Sequence, residues 1–225
     1  MKLFTRIPQK SIVITEKQLH EAMSDNFSYD VLTNLKTFAE RKQYCDKYLG
    51  ISIGKGSSRI VYSINDEKCL KLAMNSKGIA QNRAEARGGA SDYEVGPEVY
   101  ECANDYSYIV SEYVLPARKN DFKHCLGIGF DVFCDFITKS YTYYASNKEK
   151  YGIHSDMSDE TWNNLCDKHE FLQNIYGYMN YEHIPLGDLL RIRNYGMCMR
   201  DGEPQIVLLD SGFTEETAKL YERNK

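Results

Sequence analysis

Residues 205–213 read QIVLLDSGF, and the rest of the chain is arranged around them. Ile206, Val207, Leu208 and Leu209 form an unbroken apolar run, which suits a short strand buried on both faces. The run ends on Asp210, with Ser211 and Gly212 behind it, so a carboxylate is delivered at the tip of a rigid element beside a flexible residue. A carboxylate in that position suits a hard divalent cation such as magnesium, which takes oxygen ligands. A plain strand cap is the competing reading, because Asp and Gly often end strands. What lies upstream bears on the choice.

Directly upstream, Met197-Cys198-Met199 and the turn Arg200-Asp201-Gly202-Glu203-Pro204 predict a hairpin partner for that strand. Before it come the loop His183-Ile184-Pro185-Leu186-Gly187-Asp188 and the stretch Leu189-Leu190-Arg191-Ile192-Arg193-Asn194. Helical spacing predicts a helix over about 130–146, with Val132, Phe133, Phe136, Ile137 and Tyr141 inward. Ser158 caps a second one, through about residue 180, whose stripe is Trp162, Leu165, His169, Leu172, Tyr176 and Met179. On that stripe His169 reads as a core histidine rather than a ligand.

The N-terminal half changes period. Ile51 and Ile53, then Gly54-Lys55-Gly56-Ser57-Ser58, then Ile60 to Ile64 predict a hairpin with a glycine-rich turn. Gly54 and Gly56 would let backbone N–H groups approach phosphate oxygens, although such a turn is more often only a turn. A third strand, Cys69-Leu70-Lys71-Leu72-Ala73, carries a lysine among apolar residues. Lys71 either faces solvent or needs a partner, since an unpaired buried ammonium is costly. Glu85, on a helix predicted over 78–88, is the available partner. Residues 94–100 and 108–114 predict two more strands, and Pro116 marks the crossing into the helical half. At the start of the chain, Ser11 to Ile14 suggest an edge strand, Thr15 opens a first helix, and a second is predicted over 29–48.

Composition sets the outer bounds. At 225 residues the chain can bury a sizeable core. A formal charge of −4 and a pI near 5.8 argue against a general nucleic-acid binder. The seven cysteines are scattered and never form a CxxC pair, which reads as reduced thiols in a cytoplasmic protein rather than a disulfide frame or zinc site. The N-terminal stretch is too polar for a signal peptide, and no apolar run approaches the ~20 residues of a membrane helix.

In order and spacing, these pieces resemble the protein-kinase-like superfamily, in a small divergent form like those of bacteria and their phages. The resemblance covers residues 49–213. IGKGSSRIVY is similar to the glycine-rich loop, with Arg59 at the third glycine and Val61 retained. CLKLA resembles the strand with the nucleotide lysine, QNRAEA the helix with its glutamate, and YIVSEYV the strand entering the hinge. GDLLRIRNYG is similar to the catalytic loop, and LLDSGF to the DFG element with Ser211 in place of phenylalanine.

The resemblance implies an α+β, bilobal fold: an N-terminal helical extension over 1–48, an antiparallel-sheet nucleotide lobe over 49–115, and a shortened, mainly helical lobe over 116–225. It implies ATP and Mg²⁺ as cofactors, with Lys71 and Glu85 aligning phosphates and Asp188 as the catalytic base. Gly54, Lys55, Gly56, Ser57, Glu112 and Val114 would bind the nucleotide, and Asn194 and Asp210 the metal. The implied activity is transfer of a γ-phosphate to a protein hydroxyl. One alternative is a pseudokinase, acting as a binding or inhibitory module and, if phage-encoded, aimed at a factor in the host cytoplasm; another is a small structural α+β protein in which the motif matches are chance. Three departures stand out. Asp188 and Asn194 are six positions apart, one more than in the family, so counting back from Asn194 would put Leu189 at the base position. No arginine precedes Asp188, and only a dozen residues follow Phe213, too few for the usual activation segment and docking helices.

Overall fold

The structure, a computed structural model, describes residues 26–145, 149, 151–209 and 212. The expected strand at Ser11 to Ile14, the helix from Thr15, the charged closing helix, and Asp210, Ser211 and Phe213 lie outside the described residues.

The chain is α+β. Its first sheet is five-stranded and antiparallel, built from β1 (Gly54–Lys55), β2 (Arg59–Ser63), β3 (Lys68–Ala73), β4 (Val99–Cys102) and β5 (Tyr108–Glu112) in the order β1-β2-β3-β5-β4. Strand parity divides its residues into two faces. Ile60 pairs with Leu72 and Tyr62 with Leu70, and these four join Tyr108 and Val110 in a buried apolar face. Two helices cover that face, α1 (Tyr29–Asn34) and α2 (Phe38–Tyr48), through Leu32 and Cys45, with Leu49 just beyond. Tyr62 donates its hydroxyl hydrogen bond to Asp46 at 2.8 Å, and the Thr33 and Tyr108 hydroxyls meet at 2.7 Å, fixing both helices to the sheet.

The sequence predicted one helix over 29–48. It is two, because Leu35 is extended and Thr37 opens a capping box with Glu40, the Thr-x-x-Glu pattern that marks a helix start. The first strand is also shorter than expected: Ile51 is 93% exposed, with no core at that edge to bury it.

The opposite face of the sheet carries Arg59, Val61, Cys69 and Lys71. Part of it is covered by α3 (Ser76–Ala86), which begins two residues earlier than predicted because the Asn75 side chain caps Lys77 and Gly78. The chain then makes a short helical turn, α4 (Gly89–Asp92). The strand expected at 94–100 starts only at Val99: Glu94 takes a positive φ of 59° and Pro97 has no N–H to donate.

The remaining half holds the larger core. β6 (Leu115–Pro116) leads into α5 (Lys119–Leu126), α6 (Phe130–Tyr144), α7 (Asp159–Lys168), α8 (Glu170–Glu182) and α9 (Leu186–Leu189). A 3₁₀ turn, Ile192–Asn194, precedes the hairpin β7 (Tyr195–Arg200) and β8 (Glu203–Leu208), and β6-β7-β8 form a three-stranded sheet. α5 was not among the predicted helices; Phe122 and Leu126 bury its inner side, and Asp121 accepts from the Arg118 N–H at its start. The helix expected over 158–180 is broken at His169, whose extended backbone (φ −133°, ψ 104°) ends α7 and starts α8. His169 is therefore a joint, half-buried, and not a core histidine. Ile206, Val207 and Leu208 are buried as the opening stretch demanded. All seven cysteines are free thiols. Among the described residues, no helix is long and apolar enough to cross a membrane.

Candidate functional site

A cleft of about 870 Å³ runs between the polar face of the five-stranded sheet and the loop before β7. The glycine turn lines it with Gly54, Lys55, Gly56 and Ser57, β2 and β3 with Arg59, Val61, Cys69 and Lys71. The strand connection adds Glu112, Tyr113 and Val114, and the far side supplies Asp188, Arg191, Arg193, Asn194 and Leu209. Nine of the residues chosen from sequence thus meet in one place: Gly54, Lys55, Gly56, Ser57, Lys71, Glu112, Val114, Asp188 and Asn194. Glu85 sits behind Lys71 and not on the cleft surface. Asp210 is outside the described residues, but Leu209, which precedes it, lines the cleft.

Lys71 lies opposite Val61 across the β2–β3 ladder, so parity turns it toward α3 and the cleft. It is 6% exposed and Glu85 5%, and Lys71 Nζ donates to Glu85 Oε2 at 2.7 Å. The reading in which both face solvent is excluded by this burial. Lys71 Nζ also lies 3.3 Å from the Leu209 carbonyl, which joins the ammonium to the end of the opening stretch. Burial alone would push the Glu85 carboxyl up; the charges of Arg59 and Lys71, with hydrogen bonds from both, outweigh it and hold the carboxyl below its usual range.

Across the cleft the chain from Leu186 to Asn194 folds into two short turns, α9 and the 3₁₀ turn. Leu189 is 0% exposed, its side chain in the larger core and its carbonyl accepting from the Tyr195 hydroxyl at 2.7 Å. Leu189 is therefore locked inward, and its neighbour Asp188 is the residue that lines the cleft. Asn194 Nδ2 donates to the Asp188 main-chain carbonyl at 2.8 Å, and the Leu209 N–H donates to the Asn194 carbonyl at 2.7 Å. Asp188, Asn194 and the approach to Asp210 form one hydrogen-bonded group. Arg191 Nη1 reaches Asp188 Oδ1 at 3.2 Å, an exposed pair.

At the strand connection, Glu112 ends β5 and Val114 sits just before β6, so Val114 lies outside both ladders. The Glu112 carboxylate is committed to Arg200 from β7, with Arg200 Nη2 at 2.8 Å; the same nitrogen donates to the Gly96 carbonyl at 2.8 Å. This ties the two sheets together beside the cleft.

Three side chains of the site, Arg59, Arg191 and Arg193, were given no role there from the sequence. Lys55, Arg59, Lys71, Arg191 and Arg193 bring cations to the cleft, against the carboxylates of Glu112 and Asp188, although the whole chain carries −4. Arg59 is the most buried of the additions; parity with Val61, two residues on, was a signal for its direction. Among the described residues, no group of three or more His, Cys, Asp or Glu side chains gathers to hold a metal ion. No protein-family model and no curated protein matches the chain.

Proposed function

We propose that this chain has a two-lobed protein-kinase-like fold and is an ATP- and Mg²⁺-dependent phosphotransferase acting on a hydroxyl, most simply that of a protein. One observation carries the reading: a buried lysine–glutamate pair faces, across one cleft, the joined group of Asp188, Asn194 and Leu209. The donor set fits. A cleft of about 870 Å³ lies within the range of nucleotide-sized sites. Its cations complement a polyphosphate, and Asn194, with its amide N–H engaged, keeps a carbonyl oxygen of the kind magnesium takes.

In this reading the Gly54–Gly56 backbone and the Lys71 ammonium hold phosphate oxygens, with Glu85 keeping Lys71 extended. The main chain from Glu112 to Val114 meets the base. Asn194 and Asp210 hold the cation. Magnesium-ATP, when bound, supplies the transferable phosphoryl group and neutralises charge on its oxygens. Asp188 Oδ accepts the proton of the acceptor hydroxyl, once Arg191 has given up its exposed contact with that carboxylate. Catalysis is then chiefly alignment and electrostatics.

The Arg191–Asp188 contact favours a second reading, a pseudokinase that binds nucleotide and serves as a binding or inhibitory module. The test begins with thermal shift. ATP at 100 times its Kd stabilises the native state by about 2.7 kcal/mol, or about 5–11 °C at this size. No shift over a wide range of ATP with Mg²⁺ counts against both readings. Labelled γ-phosphate transfer in cell extract, lost in Asp188→Asn and Asp210→Asn, supports the enzyme. A shift without transfer supports the pseudokinase.

A further inference from the structure

The third glycine of the phosphate-cradling turn is replaced by Arg59, and the structure gives this residue a place of its own. We propose that Arg59 is a positioning residue, which holds Glu85 independently of Lys71 so that the lysine can turn to a phosphate without stranding a buried carboxylate. The inference rests on the nucleotide-binding reading above and adds a part to it.

Register sets the arrangement. In the β2–β3 ladder Arg59 faces Ala73 and Val61 faces Lys71, so Arg59 and Lys71 are diagonal neighbours on one face of the sheet. Two cations this close in a dry site repel each other unless an anion lies between them. Glu85 supplies it. Arg59 Nη1 donates to Glu85 Oε1 at 2.7 Å while Lys71 Nζ takes Glu85 Oε2 at 2.7 Å, so each carboxylate oxygen has its own cation. Arg59 is 9% exposed yet lines the cleft, and its Nη1 is also 3.4 Å from Asn82 Oδ1, one helical turn before Glu85.

The neighbouring contacts make the turn and α3 one body. The Ser58 hydroxyl donates to Gln81 Oε1. Asn82 Nδ2 donates to the Lys71 carbonyl at 3.3 Å and the Tyr106 carbonyl at 2.9 Å. Gly78 lets the helix approach so closely that a Cβ there would lie 2.2 Å from the Ser58 carbonyl oxygen.

The consequence is energetic. With a lone lysine–glutamate pair, every approach of the ammonium to a phosphate weakens its hold on a buried carboxylate, and an unpaired buried charge is strongly unfavourable. With Arg59 in place Glu85 stays neutralised, and Lys71, already within 3.3 Å of the Leu209 carbonyl at the cleft, is released for the ligand.

The experiment has a ligand-free arm and a ligand arm. In the first, unfolding free energies of the wild type, Arg59→Gln, Glu85→Gln and the double variant form a cycle. Strong non-additivity is expected, and additive effects overturn the proposal whether or not ATP binds. In the second, calorimetry compares Mg²⁺–ATP with adenosine. Arg59→Gln is expected to weaken ATP about tenfold, the scale of one charged hydrogen bond, with adenosine affinity unchanged and Arg59→Lys recovering most of the loss. Equal loss for adenosine means a merely structural role and overturns the proposal. So does an undiminished ATP loss when Arg59→Gln is made in a Glu85→Gln background, because Arg59 would then act on phosphate directly. Wild type that binds no ATP, with a coupled cycle, defeats the nucleotide reading while leaving the Arg59–Glu85 brace standing.

Discussion

Glu85→Gln is the perturbation that the structure makes sharpest, and its effect is best judged against Lys71→Met. The Glu85 carboxylate is 5% exposed and carries two cations at 2.7 Å, Arg59 and Lys71. Replacing it with a neutral amide removes the charge that both face. Breaking a buried pair by removing one partner costs about 3–5 kcal/mol, because the other charge is left uncompensated. Against a whole-domain stability of about 5–15 kcal/mol, that is a large share. At about 2–4 °C per kcal/mol for this chain length, Tm should fall by about 6–20 °C. Lys71→Met removes a cation of the same group but leaves Arg59 on Glu85. Its loss is confined to hydrogen bonds, including the 3.3 Å contact with the Leu209 carbonyl, and should be about 1–2 kcal/mol. The assay is urea unfolding of the three proteins without nucleotide, with Tm by calorimetry as a second measure. If Lys71→Met proves as damaging as Glu85→Gln, Arg59 does not neutralise Glu85 in solution, and the three-membered cluster is not the unit described here.

Two further outcomes follow from the same region. Gly78→Ala should lower stability by about 1–3 kcal/mol, because the added Cβ meets main-chain atoms, the Ser58 carbonyl at 2.2 Å and Ala73 at 3.1 Å, that cannot swing aside; an unchanged urea midpoint would show that α3 sits farther from the glycine turn. The stability advantage of wild type over Glu85→Gln should also depend on pH. The folded carboxyl lies below its usual range, since Arg59 and Lys71 outweigh burial. That contribution is complete above the unfolded-state value of about 4.3 and is lost as pH falls through the lower folded one. Urea midpoints measured from pH 7 to pH 3 should converge in acid, and a gap that stays constant or widens contradicts the assignment.

Local pattern was enough for much of this molecule. Alternation around Ile60-Val61-Tyr62 and Leu70-Lys71-Leu72 specified which side chains share a face, because the period of a strand is two and needs no knowledge of the partner. The run before Asp210 was legible because it is apolar without a break, as suits a strand buried on both faces, and the cap at Ser158 because its hydroxyl accepts from a backbone N–H only three residues on. The capping box at Thr37 was equally local, yet a continuous stripe over 29–48 concealed it, since an apolar stripe persists across a break when both helices pack on one core. His169 concealed a break in the same way.

Other features had no local signal. Fourteen residues separate Lys71 from Glu85, and only the packing of α3 on the sheet brings the ammonium and carboxylate to 2.7 Å. Position along the chain could not tell whether Asp188 or Leu189 faces the cleft. That was decided by Leu189 entering the larger core and by the Tyr195 hydroxyl holding its carbonyl at 2.7 Å. Sequence determines the period of each element and the faces it offers. Which face is buried, and which charges then share it, depends on groups brought together from distant parts of the chain, and so belongs to the tertiary structure.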